Sequence, residues 1–99
     1  MLKISVIDNP SERRLVLEGK LITPWTGEVK TACERARASL HDRELVVDMK
    51  QITIISQEGE NVLLQLMKQG VKFRCHDVFT RVVFKQLSRR TGQNFPEAK

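Results

Sequence analysis

The chain has 99 residues, of which 40% are hydrophobic and 29% charged, and its formal net charge is +5. This length accommodates one domain with one core and excludes a two-domain protein, and the composition is that of a soluble globular chain. No apolar run approaches the roughly 20 residues that span a bilayer, and residues 1–7 lack a secretory signal. We therefore expect a cytoplasmic protein with no membrane partner.

The first 40 residues predict a hairpin followed by a helix. Leu2–Ile7 alternates apolar with polar residues, a polar turn follows, and Arg14–Leu21 returns as the second strand, with Gly19 marking a bulge or bend. Thr23 is placed to cap the first helix, and Pro24 suits its first turn. The expected apolar face of this helix comprises Trp25, Val29, Cys33, Ala36 and Leu40.

Strands and helices alternate over the rest of the chain. The apolar residues of Glu44–Met49 are consecutive, as in a strand covered on both faces, and Lys50 and Gln51 interrupt the pattern before Ile52–Ile55. A polar turn at Ser56–Gly59 then leads into a second helix that ends near residue 69, where Gly70 can adopt a left-handed conformation. The inward residues of this helix are Val62, Leu63, Leu66 and Met67.

The last segments predict a strand over 71–75 and a third helix over 78–90. The inward residues of the third helix are expected to be Phe79, Val82, Val83 and Leu87. An initial hairpin followed by alternating helices and strands indicates an α/β fold. We predict a mixed sheet of about four to five strands, whose inner strands are parallel.

The positive charge is concentrated in the last third of the chain. Residues 1–67 carry 9 Lys and Arg against 10 Asp and Glu, whereas residues 68–99 carry 8 against 2. Arg81, Lys85 and Arg89 repeat every four residues and therefore stack along one helix face, with Arg90 beside them. A solvated face is the favoured interpretation, then an acidic protein partner. Anionic lipid stays open, and nucleic acid is a distant alternative.

The sequence carries little that indicates catalysis. Cys33 and Cys75 belong to no CxxC or metal-ligand pattern and are expected to be buried, inert thiols. Cys75 and His76 point to opposite faces of a strand, and His41 suits a helix C-terminus. Neither histidine has an obvious carboxylate partner, and no P-loop, GxGxxG, HExxH or GxSxG motif is present. We expect no enzyme activity, no cofactor and no metal.

The strand LVVDMKQITII, the polar turn with Gly59 and the closing helix VFTRVVFKQL resemble a STAS domain, the module shared by anti-sigma factor antagonists and sulfate transporter tails. The resemblance covers roughly Leu2 to Thr91, so we assign residues 1–92 to a STAS-like domain and 93–99 to a C-terminal tail. It implies a bacterial signalling module of the partner-switching type, which regulates transcription. Its partner would be a kinase-like anti-sigma factor.

In that family the turn before the second helix usually reads Asp, Ser, a small residue and Gly, and the partner kinase phosphorylates the Ser. When Gly59 is aligned with the family Gly, Ser56 falls at the Asp position, Gln57 at the phosphoacceptor position and Glu58 at the position of the small residue. Gln57 has no hydroxyl, and Glu58 adds negative charge where an ATP γ-phosphate would approach. Ser56 is interpreted first as a helix cap.

The resulting prediction is a non-catalytic protein-interaction module that binds a regulatory partner without the usual phospho-switch. Its expected binding residues are Ser56, Gln57, Glu58, Gly59, Asn61, Leu64 and Lys68. Trp25 is a weaker candidate as an interface anchor, since packing over the sheet edge is the favoured interpretation. The alternative is an anti-sigma factor antagonist that is phosphorylated at Ser56. Self-association as a homodimer, through a sheet edge or the last helix, stays open.

Overall fold

The computed structural model describes residues 1–92. Its elements follow the predicted order of two strands, a helix, a strand, a helix, a strand and a helix. The bounds are β1 (Leu2–Asp8), β2 (Glu12–Leu21), α1 (Thr26–Ala38), β3 (Glu44–Ile55), α2 (Gln57–Lys68), β4 (Lys72–Cys75) and α3 (Val78–Thr91). The predicted tail, residues 93–99, lies outside the described residues.

The strands form a four-stranded mixed sheet in the order β1-β2-β3-β4. The β1–β2 hairpin is antiparallel, and both the β2–β3 and β3–β4 pairs are parallel. The predicted α/β architecture, with an N-terminal hairpin and inner parallel strands, is therefore confirmed.

All three described helices pack on one face of this sheet. Leu15, Val47 and Phe73 are ladder partners across β2, β3 and β4, so they share a face, and all three belong to the buried core. Each helix contributes residues to the same core cluster: Val29 from α1, Leu63 from α2 and Phe84 from α3. The ring centroids of Phe73 and Phe84 lie 4.7 Å apart.

The other face of the sheet carries a mixture of charged and apolar side chains. Arg14, Val46 and Lys72 form one row across β2, β3 and β4, and Val16, Asp48 and Arg74 form the next. The described helices thus cover one face, but residues 45–49 of β3 are all buried, so the prediction that this segment is covered on both faces is confirmed. On this face Val46 is fully buried, and its ladder partners Arg14 and Lys72 have long side chains whose aliphatic parts can cover it.

β3 is one continuous strand of 12 residues, so the predicted interruption at Lys50 and Gln51 is wrong. The pairing of β3 with β2 changes register after Asp48, since Val16 pairs with Asp48 but Glu18 pairs with Gln51. A residue inserted in one strand bends it without ending it. The polar pair therefore marks a bulge.

The first helix begins later than the sequence predicts. α1 starts at Thr26, with Trp25 at its N-cap position and no side-chain cap. Thr23 and Pro24, joined by a cis peptide bond, lie before it, so neither has its predicted role in the first turn. The helix also ends at Ala38, and His41 lies beyond it with a positive φ of 59°, not at the helix terminus.

The inward face of α3 differs from the predicted one. Thr80, Phe84 and Leu87 are buried, and their spacings of four and three define the inward stripe. Phe79 and Val82 are 43% and 45% exposed, so their assignment to the core is wrong. The apolar residues of α3 extend around more of its circumference than the sheet covers, so those on the outer side remain exposed.

Candidate functional site

Ser56 caps α2 where the strand β3 becomes the helix. Its backbone is extended, its Oγ accepts a hydrogen bond of 3.1 Å from the backbone N–H of Gly59, and its C=O accepts one of 2.9 Å from Glu60. Its own N–H donates to the Leu21 carbonyl at 3.1 Å. Ser56 therefore satisfies orphan donors of the helix and joins the helix start to the end of β2.

Gly59 lies where the helix approaches β2 most closely. A Cβ at this position would be 2.5 Å from the Leu21 carbonyl oxygen and 3.1 Å from both Leu21 Cγ and Ile55 Cγ2. A backbone carbonyl held in a sheet ladder cannot move aside as a flexible side chain can. Glycine at this position therefore follows from the packing of the turn.

The remaining residues of the predicted binding surface form one stripe on α2. Gln57, Asn61 and Lys68 are exposed, and Leu64 is half-buried and packs against the core cluster. Spacings of four, three and four place these side chains on one helix face. Glu58 is exposed in the first turn beside this stripe. The turn and the stripe together form a continuous outward surface, which we call the α2 face.

Charge along α2 runs from acidic to basic. Glu58 and Glu60 lie in the first turn and Lys68 in the last, which complements the helix dipole. Glu60 also forms an ion pair of 3.1 Å with Arg90 of α3. Glu58 is therefore the more exposed of the two acidic side chains in this turn.

The turn before α1 and the turn before α2 follow neighbouring strand ends. Leu21 and Ile55, the last residues of β2 and β3, are ladder partners, so the 22–25 turn and the 56–59 turn lie at the same edge of the sheet. Trp25 is half-buried and packs against the core cluster. Its indole thus contributes mainly to packing, and only its exposed part is available to a partner.

A pair of side chains that the sequence analysis did not find lies on the helix-free face of the sheet. Nε2 of His76 is 2.7 Å from Oδ1 of Asp48, and Nη1 of Arg14 is 3.7 Å from Oδ2. Asp48 is only 4% exposed. His76 therefore has a carboxylate partner after all, and the isolated Asp within the apolar run LVVDM was the sequence signal for it.

This pair borders an open groove of about 610 Å³ that also contains Ser5, Ile7, Glu18 and Lys50. The Asp48 carboxylate orients the His76 ring, as it would in many structural and catalytic pairs. Among residues 1–92, no three His, Cys, Asp or Glu side chains cluster as metal ligands would. Acidic and basic groups alternate in the groove, so its residues indicate no preferred ligand charge.

Both cysteines are buried thiols. Burial raises the pKa of Cys33 to about 11, which keeps this thiol protonated and inert. Cys75 faces the core, whereas His76 faces the groove, as the opposite directions of adjacent strand residues predict. None of the helices in residues 1–92 is both long enough and apolar enough to cross a membrane.

Comparison with known proteins identifies the fold. No family model matches the chain, and no curated protein matches it in sequence. The crystal structure of an uncharacterized protein from the DUF3478 family of Shewanella loihica PV-4, described as having a SpoIIAA-like fold, superposes with a TM-score of 0.60. It is 15% identical, and the match covers 99% of this chain and 86% of the other. At this identity the likeness establishes the fold and not the activity.

Proposed function

We propose that this chain, which has the SpoIIAA-like fold of anti-sigma factor antagonists, is a non-catalytic module that binds a regulatory protein through the α2 face. A kinase-like anti-sigma factor or a related protein is the partner that this fold suggests. The proposed contact residues are Ser56, Gln57, Glu58, Asn61, Leu64 and Lys68. Gly59, which the sequence also predicted as a contact, is buried against β2 and is therefore not one of them.

The observation that carries the proposal is the geometry of Ser56. Its Oγ accepts the Gly59 N–H at 3.1 Å, it lies 3.5 Å from the Leu21 carbonyl oxygen, and the residue is half-buried. A phosphoryl group on this oxygen would have to fit beside that carbonyl, whose partial negative charge repels it. The exposed side chain at the family's acceptor position is Gln57, which cannot be phosphorylated. These features support binding by a fixed surface without a phospho-switch.

The test is affinity capture of the tagged full-length chain from its native lysate, followed by binding measurements with the captured partner. Glu58→Lys reverses the exposed charge on the α2 face and should weaken binding about tenfold or more, without unfolding the domain. Glu28→Lys is the matched control, because Glu28 is likewise an exposed carboxylate in the first turn of a helix. Equal affinities for the two variants would refute the proposed surface.

Peptide mass spectrometry of a digest of the same captured chain separates the proposal from its alternative. An unmodified Ser56 peptide in the complex supports the fixed surface. A phosphate on Ser56, together with a kinase-like partner, would instead establish the switch and refute our proposal. A Ser56→Ala variant that binds the partner unchanged would show that the hydroxyl acts only as a cap.

A further inference from the structure

The outer face of α3 is half apolar and half basic. Val78 is 76% exposed, and Phe79 and Val82 are 43% and 45% exposed. Lys85 and Arg89 are exposed further along the helix. Because Val78, Val82, Lys85 and Arg89 recur at spacings of four, three and four, they lie on one side, opposite the buried Thr80, Phe84 and Leu87. We call this set, with Phe79, the α3 outer face.

The charge on this helix has a single sign. α3 contains Arg81, Lys85, Arg89 and Arg90 and no acidic residue. Arg90 is paired with Glu60 of α2 and lies away from the outer face. The nearest carboxylate in sequence is Asp77, whose Oδ1 accepts hydrogen bonds from the Thr80 N–H at 2.9 Å and hydroxyl at 2.8 Å. Its charge is thus directed at the helix N-terminus.

We propose that the α3 outer face binds an anionic lipid surface, with Val78, Phe79 and Val82 entering the interface and Lys85 and Arg89 contacting headgroups. An apolar strip beside basic side chains on one helix is the chemistry of interfacial membrane binding. Because the sequence pattern had assigned Phe79 and Val82 to the core, it predicted mainly basic side chains on this face. The structure adds the apolar half.

Two other occupants fit the geometry less well. In a two-fold dimer in which α3 pairs along its full length, an antiparallel arrangement sets the apolar half against Lys85 and Arg89 of the second copy, and a parallel arrangement stacks like charges. A helical protein partner usually enters a groove, whereas the outward side chains of a single helix form a ridge. An anionic membrane fits such a ridge better, because its negative headgroups can contact the basic side chains and its apolar layer can receive the apolar ones.

The test is sedimentation of the full-length chain with vesicles of phosphatidylcholine alone and with vesicles that also contain phosphatidylglycerol. Binding to the anionic vesicles only, weakened by added salt, is expected. Lys85→Gln combined with Arg89→Gln should reduce it about 25-fold, since each basic residue near such a surface contributes about fivefold. Equal binding to both kinds of vesicle, or to neither, would overturn the proposal.

A pair of valine substitutions isolates the apolar contribution. Val82→Thr should lower the affinity for anionic vesicles about fourfold or more, because a polar hydroxyl replaces one methyl group in the interface. Val6→Thr is the matched control: Val6 is 56% exposed on β1 and should leave binding unchanged. Equal losses in the two variants would contradict insertion of α3. If duplex DNA binds as tightly as the vesicles and Val82→Thr leaves both affinities unchanged, the face is a nucleic-acid site and our proposal is wrong.

Discussion

Replacing Gly59 with alanine is expected to destabilise the domain, whereas the same substitution at Gly27 is expected to stabilise it. Both glycines lie in the first turn of a helix, α2 and α1 respectively. A Cβ at Gly59 would approach the Leu21 carbonyl oxygen to 2.5 Å, but a Cβ at Gly27 would meet no atom within 4 Å. Comparing the two variants therefore separates the steric cost of an added Cβ from the gain in helix propensity.

The magnitude at Gly59 follows from the contacts that must change. Overpacking against a backbone carbonyl costs about 1–3 kcal/mol, and moving α2 away also strains the Ser56 cap, a contribution of about 1 kcal/mol. Alanine recovers about 1 kcal/mol of helix propensity. The net expectation is a loss of about 2 kcal/mol at Gly59 and a gain of about 0.5–1 kcal/mol at Gly27.

Urea unfolding followed by far-UV circular dichroism measures both values in one experiment. For a domain of this size, 1 kcal/mol corresponds to a shift of about 4–8 °C in Tm, so thermal unfolding provides an independent check. Opposite signs for the two variants would support the close approach of α2 to β2. A Gly59→Ala protein as stable as Gly27→Ala would refute it.

Three further predictions concern the caps and the thiols. Ser56→Ala should cost about 1 kcal/mol in urea unfolding, because the Gly59 N–H loses its acceptor. The hydrogen bond from the Thr80 backbone N–H, aided by that from its hydroxyl, holds the pKa of Asp77 below the ordinary value of 3.8. The stability that ionised Asp77 contributes is therefore present at neutral pH and is lost as the pH falls through its folded-state pKa. Asp77→Asn should accordingly flatten the decline in the free energy of unfolding below about pH 4. An unchanged slope would show that Asp77 is not its cause. Cys33 and Cys75 are buried, so a thiol reagent should label neither in the folded chain and both in denaturant, and rapid labelling of native protein would contradict their placement.

Most of the fold was readable from local patterns. The alternation of Leu2–Ile7, the stripe of α2 and the residues around Gly70 identify elements because they depend on strand and helix periodicity and on turn chemistry. The order of these elements then restricts the topology to a mixed sheet with parallel inner strands. The N-cap role of Ser56 was likewise predicted, and the structure confirms it.

The errors share one physical origin. Whether Phe79 and Val82 are buried depends on how much of α3 the sheet covers, and no local periodicity reports that width. The continuity of β3 through Lys50 depends on its pairing with β2, and the partnership of Asp48 with His76 joins β3 to the residue that follows β4.

The sequence by itself therefore determined which segments are strands and helices, and where α2 begins. The tertiary structure decided which side chains face the core, why Gly59 must be a glycine, and that α3 presents an apolar strip beside its basic residues. Periodicity is a property of consecutive residues, whereas burial and close approach depend on distant segments that meet only after the chain has folded.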